Sequence, residues 1–141
     1  MTEPLLMIPG LNCTAALFER QQNSLEKGRE ILVADDTIAG FARRALAGAP
    51  ERFALAGLSM GGYVCLEILR QARGRVTRLA LLDTSARPDS DDATRSRLRL
   101  IRIAEGGRFV DVHPLMWDRL VSRRRRDDAD LEATVIGMME D

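Results

Sequence analysis

Ser59 stands between two glycines in the run Phe53-Ala54-Leu55-Ala56-Gly57-Leu58-Ser59-Met60-Gly61-Gly62. A serine hydroxyl attacks a carbonyl only when a base takes its proton and donors hold the oxyanion that forms. Its oxygen must also stand clear of the backbone, which a sharp turn from a strand into a helix achieves. Such a turn crowds the positions two before and two after the serine. Here those are Gly57 and Gly61, which carry no Cβ to clash with neighbouring chain. A helix beginning beside the serine directs its unpaired N–H groups and partial positive charge at developing negative charge. By composition alone, Gly-x-Ser-x-Gly arises by accident in roughly 5% of chains of this length. The weight therefore falls on context: an apolar run precedes the motif and an amphipathic helical pattern follows it. The chemistry indicated is acyl transfer through Ser59, and the competing reading is an ordinary glycine-rich turn between strand and helix.

The elements that must position this serine read as a strict alternation. Leu5-Leu6-Met7-Ile8, stopped by Pro9-Gly10, suits a strand buried on both faces. Thr14 suits the cap of a helix running to about Lys27, with Leu17, Gln21 and Leu25 on one side and Gly28 as its stop. Ile31-Leu32-Val33-Ala34 reads as the second strand. Behind Thr37, the residues Ile38, Phe41, Ala42, Ala45 and Leu46 form one helical stripe, ended by Gly48 and Pro50. The third strand is Phe53 to Leu58. The next helix, from Gly61, turns Cys65, Ile68, Leu69 and Ala72 inward and stops at Gly74. Val76 to Leu82 is the fourth strand, ending at Asp83-Thr84. Alternation of this kind implies an α/β fold with a parallel sheet and helices on both faces.

After Pro88 the pattern becomes helical only. Asp89 to Glu105 reads as one helix with acidic residues in its first turn, broken by Gly106-Gly107. Pro114 suits the first position of another, containing Leu115, Met116, Trp117 and Leu120. Leu131, Val135, Met138 and Met139 make a last stripe. The run Arg123 to Arg126 is followed by Asp127, Asp128 and Asp130, which reads as a solvated or salt-bridged helix end rather than a nucleic-acid patch.

Composition narrows the partners. The chain has 141 residues, 45% apolar and 30% charged, with a formal net charge of zero. That is enough for one core, and it gives no electrostatic reason to expect nucleic acid or an anionic membrane. The apolar run at Leu5 to Ile8 is too short for a signal peptide or a bilayer span, so a cytoplasmic protein is expected. Cys13 and Cys65 are too few for a disulfide framework. Cys65 falls on an inward helical face, and Cys13 borders the turn after the first strand without reading as a nucleophile. The single histidine, His113, forms no metal-ligand spacing with them.

The segment GLSMGG, with Pro9-Gly10-Leu11 upstream and LALLDTSARPD downstream, resembles the α/β-hydrolases of the esterase, lactonase and thioesterase kind. The resemblance runs from about Leu5 to Asp89 and covers the first half of such a domain. It implies a partial α/β-hydrolase: four parallel strands with flanking helices over residues 1–88, then a helical cap segment over 89–141. It also implies an oxyanion hole made by the N–H groups of Met60 and Leu11, a small-molecule acyl substrate, and no cofactor or metal. The family order of serine, acid, histidine is met formally by Ser59, Asp83 and His113. Yet the family's histidine follows the last strand of the sheet, whereas His113 precedes a cap helix and reads as a surface or cap-terminus residue. Asp83 reads as a strand-end turn residue before it reads as a triad acid. Acid and base are therefore not evident, and an interrupted hydrolase is expected. Its fourth strand, left with an open edge, would be covered by a second copy or a complementing fragment.

Overall fold

The computed structural model describes residues 3–24, 28–30, 35–107 and 111–140. It divides into two compact units, residues 1–86 and 87–141. The first is a four-stranded sheet of β1 (Leu5–Ile8), β2 (Gly28–Glu30), β3 (Phe53–Leu58) and β4 (Val76–Leu82). Their order is β2-β1-β3-β4, and all neighbours are parallel. Between them run α1 (Glu19–Ser24), α2 (Ile38–Ala47) and α3 (Met60–Ala72). A single turn of 3₁₀ helix, Ala15–Phe18, leads into α1, and Thr14 caps it by accepting from the Ala16 N–H.

Side-chain alternation along the strands divides the core in two. Leu6 and Ile8 of β1 and Phe53 and Leu55 of β3 pack with Phe41, Ala42 and Ala45 of α2 and Val64, Cys65 and Ile68 of α3. The intervening residues, Met7 and Ala56, face the other way and pack with Phe18, flanked by Leu5, Leu17 and Leu58. A parallel sheet covered on both faces needs this double apolar identity in its inner strands. β4 differs. Among the described residues it pairs with β3 alone, and although Val76 packs on the core, Leu79, Leu81 and Leu82 are 41%, 41% and 44% exposed.

The ends of α2 show how local chemistry fixes the elements. Thr37 caps it by accepting from the Gly40 N–H at 2.9 Å. Asp35 in turn accepts from the Thr37 N–H at 3.0 Å and pairs with Arg44 at 3.0 Å. At the other end Arg75 reaches over from the turn before β4. Its guanidinium donates to the carbonyls of Leu46 (3.2 Å), Ala49 (2.8 Å) and Pro50 (2.7 Å) and lies 5.6 Å from the centroid of the Phe53 ring. The last carbonyls of a helix have no intrahelical donor, and this fork supplies one.

Several expectations shift. The expected second strand, Ile31 to Ala34, lies outside the described residues; the described strand is Gly28–Glu30, so Gly28 opens a strand rather than merely stopping a helix. α3 ends at Ala72, and Gly74 lies inside a 3₁₀ turn, Arg73–Arg75. The second unit holds α4 (Asp91–Glu105), α5 (Val112–Leu120) and α6 (Ala129–Glu140). α4 starts two residues later than expected because Ser90, accepting from the Ala93 N–H, is its cap. α5 starts two residues before Pro114, which the first turn tolerates because its N–H groups lack intrahelical acceptors. The arginine run is a salt-bridged helix end: Arg125 pairs with Asp128 at 2.6 Å and Arg126 with Asp118 at 3.0 Å. Among the described residues no helix is long and apolar enough to cross a membrane.

Two measurements check these supports. Arg75→Ala should lower unfolding stability by about 1.5–3 kcal/mol, since it strips a charged donor from three carbonyls. Arg75→Lys should recover only part, because a point charge cannot reproduce the fork; an unchanged urea midpoint for both would contradict this role. Within α3, hydrogen bonds from Arg70 and then Gln71 hold the Glu67 carboxyl at about 2, below its ordinary 4.5. A carboxyl depressed in the folded state contributes stability above the unfolded value and loses it as pH falls through the folded one. The melting-temperature gap between wild type and Glu67→Gln should therefore be present at neutral pH and close between pH 4.5 and about 2. A gap independent of pH would contradict it.

Candidate active site

In the order β2-β1-β3-β4 the chain leaves β1 toward one edge and β3 toward the other, so the strand order reverses between β1 and β3. In parallel sheets the carboxyl ends of the strands at such a reversal are where ligands bind. The register brings the two ends level: Ile8 lies opposite Gly57, and Leu58 opposite Leu82. The turns that follow β1 and β3 are thereby set side by side.

Ser59 occupies the single residue between β3 and α3. Its φ is 52° and its ψ −115°, a region that costs a non-glycine residue about 1–3 kcal/mol. It stands at the N-cap position of α3, but its side chain makes no capping hydrogen bond, and the residue is exposed. The flanking glycines are required by contact. A Cβ on Gly57 would overlap the Gly61 carbonyl and lie 2.5 Å from the Cys65 sulfur. One on Gly61 would overlap the Ile8 carbonyl and lie 2.6 Å from the Pro9 oxygen. α3 thus begins against the carbonyl end of β1, at a distance only glycine permits.

The loop after β1 closes on the same point. A Cβ built on Gly10 would be 3.5 Å from the Cβ of Ser59 and 3.6 Å from the Cys13 sulfur. Asn12 takes a left-handed φ of 59°, and the Cys13 thiol donates to the Leu11 carbonyl at 3.5 Å. Burial, opposed by a smaller backbone hydrogen-bond effect at Gly10, raises the Cys13 thiol above its ordinary range. A thiol shifted that way is a poorer source of thiolate at neutral pH. Cys65 is fully buried on α3, and desolvation pushes it up to about 12.

Met60, next to Ser59, is the first residue of α3, and Leu11 follows Gly10 in the turn after β1. Asp83 is exposed at a φ of 43°, between Leu82 and Thr84. Both neighbours bond the Ser59 main chain: the Ser59 N–H donates to Leu82 O at 2.9 Å, and Thr84 Oγ1 donates to Ser59 O at 2.7 Å. His113 is not a surface residue. It lies in the first turn of α5 in the second unit, 6% exposed, its ring 5.2 Å from that of Trp117. Its Nε2 lies 3.8 Å from Glu132 Oε1 and has no hydrogen-bond partner among the described residues. Proline at the following position marked a helix start but could not reveal that the ring turns inward onto Trp117. Thr84 carries no sequence signal of its own, although the doubled glycine Gly61-Gly62 signals that something packs closely there. Among the described residues no group of three His, Cys, Asp or Glu side chains is placed to hold a metal ion.

No family model matches the sequence, and no curated protein matches it. Solved structures do. A thermophilic esterase from Thermogutta terrifontis superposes with a TM-score of 0.81 at 24% identity, over 99% of this chain. A hydrolase from Pseudomonas aeruginosa gives 0.78 at 19% identity over 97%. A carboxylesterase structure from the thaumarchaeon Nitrososphaera gargenis gives 0.78 at 14% identity over 98%. The chain spans 58% of the length of each of these three. At such identities the likeness is one of fold, and over the residues it spans this chain has the fold of part of an α/β-hydrolase.

Proposed function

We propose that this chain is the nucleophile-bearing part of a serine hydrolase acting on carboxylic esters or related acyl compounds. The observation that carries the reading is Ser59: exposed, at a φ of 52°, at the head of α3 with its hydroxyl not spent on capping that helix. Ser59 Oγ attacks the acyl carbon while a base takes its proton. The N–H groups of Leu11 and Met60 hold the oxyanion, the alcohol leaves with a proton, and water then releases the acid from the acyl-serine. The acid and base of these steps are not assigned to residues of this chain; Asp83 is the carboxylate between Leu82 and Thr84, which bond the Ser59 main chain. No cofactor is required by these steps.

A second reading is favoured by the exposed leucines of β4: a catalytically silent half-domain that serves as an assembly module. A fluorophosphonate probe separates the two. On the enzyme reading, Ser59 takes one label and Ser59→Ala takes none, at a rate about 10²–10⁴-fold below that of a complete triad because the base is missing. No label on wild-type protein supports the silent module. Under either reading the edge of β4 is covered in solution, by a second copy or a complementing fragment, because bare N–H and C=O groups on an apolar strand recruit another strand. Light scattering should therefore show association, and a monodisperse monomer would contradict it.

A further inference from the structure

The serine's main chain is held at both ends by the end of β4. The Ser59 N–H donates to Leu82 O at 2.9 Å. The Ser59 carbonyl accepts twice, from the Gly62 N–H at 2.9 Å and from Thr84 Oγ1 at 2.7 Å. Asp83, at a φ of 43°, turns the chain sharply between those two anchors. Gly62 is shaped to receive Thr84: a Cβ there would overlap Thr84 Oγ1 and lie 2.5 Å from its Cγ2 and 2.6 Å from its Cβ. The second glycine of the pair is thus explained by a contact with the β4 loop, which the turn into α3 does not itself require.

A peptide unit is planar, so its C=O and N–H turn together. The carbonyl of Ser59 and the N–H of Met60 belong to one such unit. A hydroxyl that fixes the direction of the first fixes the direction of the second. We propose that Thr84 is a positioning residue, which aims the Met60 N–H at the oxyanion by holding the Ser59 carbonyl. The proposal rests on the acyl-transfer reading above and adds to it the group that sets its donor. Thr84 itself touches no reacting atom.

The test uses the full chain with Thr84→Ala, Thr84→Ser as the conservative rescue, and Gly62→Ala, whose new Cβ must displace Thr84. Circular dichroism establishes that each is folded, and NMR reads the Ser59 carbonyl carbon and the Met60 amide. Thr84→Ala and Gly62→Ala should move both resonances, and Thr84→Ser should leave them near wild type. Fluorophosphonate labelling of Ser59 should slow by roughly 10- to 100-fold in the maximal rate, with the half-saturating probe concentration unchanged, and Thr84→Ser should restore it. Resonances that stay in place in Thr84→Ala, or that move without slowing the label, overturn the proposal. A wild-type chain that takes no label overturns the acyl-transfer reading and this catalytic role with it. The two resonances then still decide whether Thr84 sets that peptide.

Discussion

One close approach organises this molecule: the first turn of α3 lies against the carbonyl end of β1, with no room for a Cβ at residue 61. To reach that position from β3 the chain must reverse in a single residue, and Ser59 is forced to a positive φ. Backbone strain of this kind persists only where the surroundings over-determine it. Here they do so through main-chain and side-chain bonds from β4, through the packing of Gly57 against Gly61 and Cys65, and through the loop at Gly10. The exposed hydroxyl is a consequence of that geometry. A serine able to cap α3 with its own side chain would relax the strain and occupy the oxygen that the proposed acyl transfer uses.

The sheet supplies the frame for this contact. β1 and β3 are the inner strands, and their buried leucine, isoleucine and phenylalanine side chains pin α2 and α3 to one face. Reversal of strand order between them is what sets two loop ends side by side. Helix, strand and loop thus converge on one residue from three directions. The apolar content of the inner strands is therefore as much a condition of the proposed site as the serine. At β4 the same logic is incomplete, since its leucines carry the apolar character of an inner strand while lying at an edge.

Much of this is legible in the sequence. The bounds of β1, β3 and β4, the Thr37 cap of α2 and the strand–serine–helix junction follow from apolar runs punctuated by Pro9-Gly10, Gly48 and Asp83. These are local signals, and local rules capture them. What the sequence did not disclose is long-range. Arg75 gathers carbonyls about 25 to 29 residues away, and Thr84 holds a carbonyl 25 residues away. Neither leaves a periodic trace. For His113 the position at the start of a cap-segment helix is legible beside Pro114, but its burial is not: Trp117 stands one turn on in α5, and Glu132 approaches from α6.

The measurement that bears most directly on this account is the backbone torsion of Ser59 in solution, from three-bond and residual dipolar couplings in labelled protein. The account requires a positive φ near 52°. A negative, helical φ, with residue 59 continuing into α3, would contradict it.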